Sequence, residues 1–329
     1  MLIIIRRSQR GKYNDFEVKG DAKLIDENVR QQLHFVAFLD LLGYKDFFND
    51  KKHDVGRFLE TINEALISTI DGTNQQYTHV PDVYKPKIKM FSDNILIAVR
   101  STHKNENDFL PYLNLVRTVA NIQRLFITKY RLYLRGGIAK GMFYFGEKYV
   151  FGEALIRAYE MEQSAIYPKI IIDDKYIEKI IESANKKAGR HNTFADILID
   201  VVGKERDGSY FVNYLPTYPR DKKYDNKFQI ESIFAEGVTS LDAYASDKER
   251  KIIQLHKAAL LEKIHEYGSY KELFSQQDID NRKKVILKYM WSLDYHNRVC
   301  EILGLQELMI HCDIKIDSRT LQPIVVFEK

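Results

Sequence analysis

Two aspartates stand out by the company they keep. Asp40 follows the apolar run Phe35-Val36-Ala37-Phe38-Leu39 and precedes Leu41-Leu42-Gly43, a pattern that predicts a buried strand ending in a turn and then a helix. An unpaired charge inside such a run costs several kcal/mol, so a cation must compensate it. Asp93 lies between two strand-like runs, Lys87-Ile88-Lys89-Met90-Phe91 and Ile95-Leu96-Ile97-Ala98-Val99, at the tip of a tight Ser92-Asp93-Asn94 hairpin. Two strand-end carboxylates bind metal ions when their strands are neighbours. Each also has a plainer use, Asp40 as a cap of the following helix and Asp93 as a turn former.

The elements that must position them alternate in type. A strand is expected over about Leu33 to Asp40. Phe47, Phe48, Val55, Phe58, Leu59, Ile62, Leu66 and Ile70 recur at helical spacing and predict one or two helices ending at Asp71-Gly72. After the hairpin, Phe109 to Phe126 reads as a helix. Leu132 to Ile138 reads as a strand broken by Gly136-Gly137, and Met142 to Phe145 as another after Gly141. Gly152 opens a helix to about Ala165, and Lys169 to Ile172 is a strand capped by Asp173-Asp174. Strand, helix, hairpin, helix, strand is the order of an α+β sandwich with an antiparallel-rich sheet. Beyond it come a helix to about Lys187, strands over Asp196 to Val202 and Ser209 to Leu215, and a polar linker over 216–223. Residues 228–303 are mostly helical, and Leu308 to Glu328 alternates as two closing strands. The division expected is an arm over 1–31, a catalytic domain over 32–215 and a helical extension over 216–329 with closing C-terminal strands.

Composition narrows the function. The 329 residues carry a net charge of +4 from well-mixed acids and bases, with no basic block or basic-aromatic groove that argues for nucleic acid. Cys300 and Cys312 form no CxxC pair, so a metal site here is expected to use oxygen ligands, and the chain is expected in a reducing cytoplasm. No apolar run approaches the roughly 20 residues of a membrane span.

Three stretches taken together resemble one family. Phe38-Leu39-Asp40-Leu41-Leu42-Gly43-Tyr44 is similar to the first metal-binding strand of class III nucleotidyl cyclases. Lys89-Met90-Phe91-Ser92-Asp93 is similar to their second metal hairpin, and Arg135-Gly136-Gly137-Ile138-Ala139-Lys140-Gly141 to the strand after it. The similarity covers about residues 33–173. Where adenylyl and guanylyl members carry a helix asparagine and, four residues on, a transition-state arginine, this chain has Ile156 and Glu160, and Tyr149 stands at the purine-reading position. With the segments 152–162, 207–215 and 291–297, these departures resemble the pyrimidine cyclases of the bacterial Pycsar antiphage system.

That resemblance implies a ferredoxin-like cyclase sandwich making cyclic CMP or cyclic UMP from CTP or UTP, as a signal to a separate effector protein. It implies two Mg²⁺ or Mn²⁺ ions on Asp40, Asp93 and the Leu41 carbonyl. The amides of Leu42, Gly43 and Tyr44 at a helix start would cradle phosphate oxygens, and Arg135 would take the β- or γ-phosphate. Lys89, Phe38 and Tyr149 would select the base. Arg157 lies one turn before Glu160 and is expected to cover in part for the missing arginine, with pairing to Glu153 or Glu160 as the simpler reading. Active sites shared between subunits imply a head-to-tail homodimer. A purine cyclase and a catalytically degenerate nucleotide sensor are the competing readings.

Overall fold

A computed structural model of the chain describes residues 30–44, 55–76, 81–102, 108–173, 175–180, 198, 201–216, 246–268, 275–316 and 323–327. The expected arm, the linker, Phe47 and Phe48, and the helix beyond residue 180 lie outside them. In chain order the elements are β1 (Gln32–Leu42), α1 (Val55–Gln76), the hairpin of β2 (Lys87–Phe91) and β3 (Asn94–Arg100), α2 (Phe109–Leu125), β4 (Tyr133–Phe145), β5 (Val150–Gly152), α3 (Glu153–Ser164) and β6 (Ile170–Ile172). They continue with β7 (Val202–Lys204), β8 (Tyr210–Val212), α4 (Asp247–Gly268), α5 (Gln276–Ile302), β9 (Cys312–Ile316) and β10 (Pro323–Phe327).

The main sheet runs β2-β3-β1-β4-β6-β8-β7, with β5 folded back on β4, and β9 and β10 pair separately. Every pairing in it is antiparallel except β4 with β6, so the fold is the expected α+β arrangement with an antiparallel-rich sheet. β1 is central, paired with β3 on one side and β4 on the other. Its side chains alternate between two faces, as the pleat requires. Phe35, Ala37, Leu39 and Leu41 join a core with Leu113, Val116 and Ala120 of α2 and with Ile62 and Leu66 of α1. Val36 and Phe38 face the other way, into a smaller cluster with Ala139, Phe143, Ala154 and Ala158 under α3.

The expected break at Gly136-Gly137 does not occur, because β4 runs unbroken from Tyr133 to Phe145. These glycines answer to packing. A Cβ on Gly137 would stand 2.5 Å from the Ala158 carbonyl oxygen, and one on Gly141 would stand 3.0 Å from the Ala154 nitrogen. The helix therefore lies directly on the strand. α1 likewise passes through Gly72 to Gln76, since one glycine costs a helix only about 1 kcal/mol. β7 begins at Val202 rather than Asp196: the Val201 amide bonds back to the Leu198 carbonyl at 3.1 Å, which coils the chain there.

The helices α4 and α5 pack on one another and add Ile253, Leu260, Leu293, Tyr295 and Val299 to the larger core. A capping box starts α4: the Glu249 amide donates to Ser246 Oγ at 3.3 Å, and the Glu249 carboxylate accepts from the Ser246 amide at 2.8 Å. A buried polar seam ties the pair to the chain leaving β8. Tyr295 donates to Asn213 Oδ1 at 2.5 Å and accepts from the Leu215 amide at 2.9 Å, which draws Asn213 to Leu215 out of the expected longer strand. Tyr214 Oη lies 3.0 Å from His256 Nε2, and His256 Nδ1 lies 3.1 Å from His296 Nδ1. Burial holds His256 well below the usual imidazole range and brings His296 down to about 4. No helix among the described residues is long and apolar enough to cross a membrane.

Two outcomes test this packing. Gly137→Ala drives a methyl group into α3 and is expected to lower stability by about 2 kcal/mol, read by urea denaturation. Because His296 titrates at about 4 when folded and near 6.5 when unfolded, the unfolded chain binds more protons between those values. Stability is therefore complete above about pH 6.5 and falls toward pH 4, by on the order of 3 kcal/mol from this residue. Thermal melting across that window checks it, with His296→Gln flattening the slope.

Candidate active site

The site is built by the register of β1. Asp40 stands opposite Asn94 on β3 and opposite Arg135 on β4. The Leu41 amide donates to the Asp93 carbonyl at 2.9 Å, which fixes the hairpin tip beside the end of β1. That tip is a two-residue loop, and Ser92 enters it with a left-handed φ of 58°. Gly43, at φ 83°, turns the chain out of β1 into Tyr44. One short hairpin and one register thus bring Asp40, the Leu41 backbone and Asp93 together from segments some fifty residues apart in sequence.

The cation that the sequence demands for Asp40 is Arg135. Its Nη2 lies 3.1 Å from Asp40 Oδ2 and also pairs with Glu162, while Nη1 donates to the Ala165 carbonyl at 3.4 Å. Glu162 reaches this pair from α3 and is only 2% exposed. Burial pushes the Asp40 carboxyl above its usual range; Arg135 pulls it back, and Glu162 and Asp93 push it up again. Burial and the charge of Asp93 also raise the Tyr44 phenol, which places that ring near the hairpin tip.

The other expected residues fall in two further places. Lys89 donates to the carbonyls of Gly146 and Glu147, and its Nζ lies 5.5 Å from the Phe145 ring centre. Tyr149 belongs to the same turn, its carbonyl accepting from the Gly146 amide at 2.9 Å and its ring exposed. Lys89 and Tyr149 are thus brought together. Phe38 is core, edge-on to Tyr159 at 5.6 Å and tilted against Phe91 at 6.3 Å. Arg157 pairs with Asp173 and donates to the Lys140 carbonyl at 2.9 Å, with Glu153 at 4.0 Å and Glu160 exposed. Lys140 is five residues along β4 from Arg135, about 16 Å at strand spacing, so one chain does not bring Arg157 to its own Asp40.

Two members of the cluster escape a reading of the sequence. Glu162 continues the stripe of Ala154 and Ala158 at intervals of four, so a carboxylate in line with a buried helix face was the available signal. Lys288 comes from α5. Burial and Arg135 push its ammonium below the usual lysine range while Asp40 pulls it back, and the next residue, Tyr289, packs edge-on against Tyr133 at 5.0 Å. Nothing in the charge pattern of α5 sets this lysine apart.

Among the described residues no group of three histidine, cysteine or acidic side chains is placed to hold a metal ion. The donor set is two carboxylates and the Leu41 carbonyl. Such oxygen donors fit a hard divalent cation that keeps several waters, and the repulsion between Asp93 and Asp40 is what such a cation relieves.

No protein-family model and no curated protein matches the sequence. Among solved structures, the chain is similar to the adenylyl cyclase CyaB from P. aeruginosa, at 15% identity over 47% of this chain and 83% of that one, with a TM-score of 0.36. It is also similar to the monomeric guanylyl cyclase domain of the RhoGC fusion protein from the aquatic fungus Blastocladiella emersonii, at 13% identity over 56% and 95% of the two chains, TM-score 0.32. For the non-canonical dimeric form of that domain the values are 12%, 55%, 93% and 0.35. The chemistry of the site rests on its own residues.

Because burial disfavours the charged form of Asp40, Asp40→Asn is expected to raise the melting temperature at neutral pH. The gain should shrink as pH falls toward the unfolded carboxyl value near 3.8, where the wild-type side chain is itself protonated.

Proposed function

We propose that this protein is a nucleotidyl cyclase that converts a pyrimidine nucleoside triphosphate to its 3′,5′-cyclic monophosphate and pyrophosphate. The observation that carries this reading is the meeting of Asp40 and Asp93 at the end of the central strand, beside the Leu41 backbone. In the reaction the ribose 3′-oxygen loses its proton and attacks the α-phosphorus in line as the bond to pyrophosphate breaks. Mg²⁺ or Mn²⁺ held by Asp40, Asp93 and the Leu41 carbonyl would lower the pKa of the hydroxyl and neutralise the leaving phosphates. Arg135 braces Asp40 against Glu162 through Nη2 and bonds the Ala165 carbonyl through Nη1, which leaves Nε as its donor without a partner among the described residues. The turn from Leu42 to Tyr44, opened by the positive φ of Gly43, directs the chain into the proposed phosphate cradle.

Base selection is assigned to the turn that Lys89 and Tyr149 share. An ammonium donates to a pyrimidine carbonyl, and an exposed tyrosine ring narrows the space open to a purine. Phe38 supports that region from beneath through Phe91. The face that carries α3 is the proposed homodimer surface: Phe91, Tyr149, Phe151, Ile156 and Tyr159 are large apolar side chains left exposed there. In such a dimer the base-reading turn and Arg157 of one copy would serve the carboxylates of the other. The proposed product is a signal to a separate effector protein in antiphage defence, as the sequence resemblance implies.

The test is a product assay. The full chain is incubated with Mn²⁺ or Mg²⁺ and with ATP, GTP, CTP or UTP in separate reactions, and the products are resolved chromatographically. One cyclic pyrimidine nucleotide is expected, with Asp40→Ala and Asp93→Ala each lowering the rate by about a thousandfold or more. A cyclic purine product would replace the substrate assignment, and unchanged rates in both variants would remove the proposed metal site.

A further inference from the structure

Arg135 divides itself unequally between two elements. Its Nη2 pairs with Glu162, its Nη1 donates to the Ala165 carbonyl, and one 3.1 Å contact from Nη2 reaches Asp40 Oδ2. Two of these three contacts belong to the C-terminal end of α3. Nε has no partner, and Asp40 Oδ1 makes no hydrogen bond among the described residues. Beside a single carboxylate a guanidinium commonly offers two parallel N–H donors and covers both oxygens. Here the donor that would complete such a fork on Asp40 is unused, and so is the oxygen it would cover.

What holds the guanidinium back is itself fixed. The Glu162 side chain is 2% exposed against 19% for Asp40, and its second oxygen accepts from Gln163 Nε2. A Cβ on Gly137 would stand 2.5 Å from Met161 Cβ and 3.3 Å from the Glu162 nitrogen, so α3 meets β4 at the residue that carries this carboxylate. The Ala165 amide closes the helix on the Met161 and Glu162 carbonyls at 3.1 and 3.0 Å, which sets the carbonyl that takes Nη1. A buried carboxylate and a capped helix end thus anchor Arg135 from one side, two residues along β4 from the close contact at Gly137.

We propose that Glu162 is a positioning residue for the metal site: it draws Arg135 toward α3 and so keeps the guanidinium from closing as a fork over both oxygens of Asp40. One oxygen of Asp40 thereby stays open to the divalent cation that Asp40, Asp93 and the Leu41 carbonyl would hold. Without Glu162, that cation would have to displace an arginine from its ligand before binding. The role needs no contact of Glu162 with cation or substrate, because it acts through Arg135. For its metal site the inference rests on the cyclase reading above.

The experiment titrates Mn²⁺ alone into the full chain and reads the free ion by electron paramagnetic resonance; circular dichroism and melting verify that each variant folds. Asp40→Ala is expected to lose the site. Glu162→Gln keeps the size of the side chain and is expected to weaken Mn²⁺ binding by about tenfold. Glu162→Asp keeps the charge but shortens the reach by one methylene, and is expected to weaken it by about threefold or more. An Arg135→Lys background separates position from charge, because an ammonium keeps the charge and cannot form the fork. There Glu162→Gln should cost less than about threefold, so that the two substitutions are non-additive. In turnover of the nucleotide identified by the product assay, Glu162→Gln should raise the Mn²⁺ concentration for half-maximal rate in step, with kcat at saturating Mn²⁺ within about threefold of wild type. Wild-type Mn²⁺ affinity in both Glu162 variants would overturn the proposal. So would an equal loss from Glu162→Gln in both backgrounds, since Glu162 would then act by its charge alone. Absence of Mn²⁺ uptake by the wild type, or uptake that survives Asp40→Ala, would instead remove the metal site of the cyclase reading, and this inference with it.

Discussion

The arrangement on which the rest of the site depends is the pairing of one guanidinium with two carboxylates across three elements. Asp40 on β1, Arg135 on β4 and Glu162 on α3 meet at the end of the sheet, and a charge left alone there would be unfavourable. The pairing depends on the register of the central strands and on the rotation of α3 together, since Glu162 lies in line with Ala154 and Ala158, which face the strand. It also leaves Asp40 reluctant to ionise despite its cation. Stability given up at a functional group in this way is a recurring feature of reactive sites.

The two faces of the sheet are unlike. One carries the larger core, thickened by α1, α2 and the C-terminal helix pair. Among the described residues the other carries α3, set close on β4 by glycines that leave no room for a Cβ. That short helix does not cover the face among the described residues. Phe91, Phe151, Ile156 and Tyr159 remain open around it, which is the physical ground for assigning the face to a second copy of the chain. Arg157 and the Lys89–Tyr149 turn lie away from Asp40 within one chain, and a shared site would reconcile that separation with their proposed roles.

The C-terminal helices are structural partners of the sheet. They join its larger core, and the Tyr214–His256–His296 seam links them to the chain leaving β8 through buried polar groups that each find a partner.

The sequence by itself determined the kind of fold and the identity of the central acids. Alternation in β1 and the Ser92-Asp93 turn are local signals, and an aspartate inside an apolar run announces both its burial and its need for a cation. Helical spacing likewise revealed α2 and α3. What the sequence did not carry was any property made by contact between distant segments. Gly136, Gly137 and Gly141 read as strand breaks because their reason, the close approach of β1 at Gly136 and of α3 at Gly137 and Gly141, lies in segments distant in sequence. The phosphate role of Arg135 came from the family resemblance, and only the fold placed Glu162 beside it. Periodicity records which face of an element is buried, whereas the partner found there is decided when the elements pack.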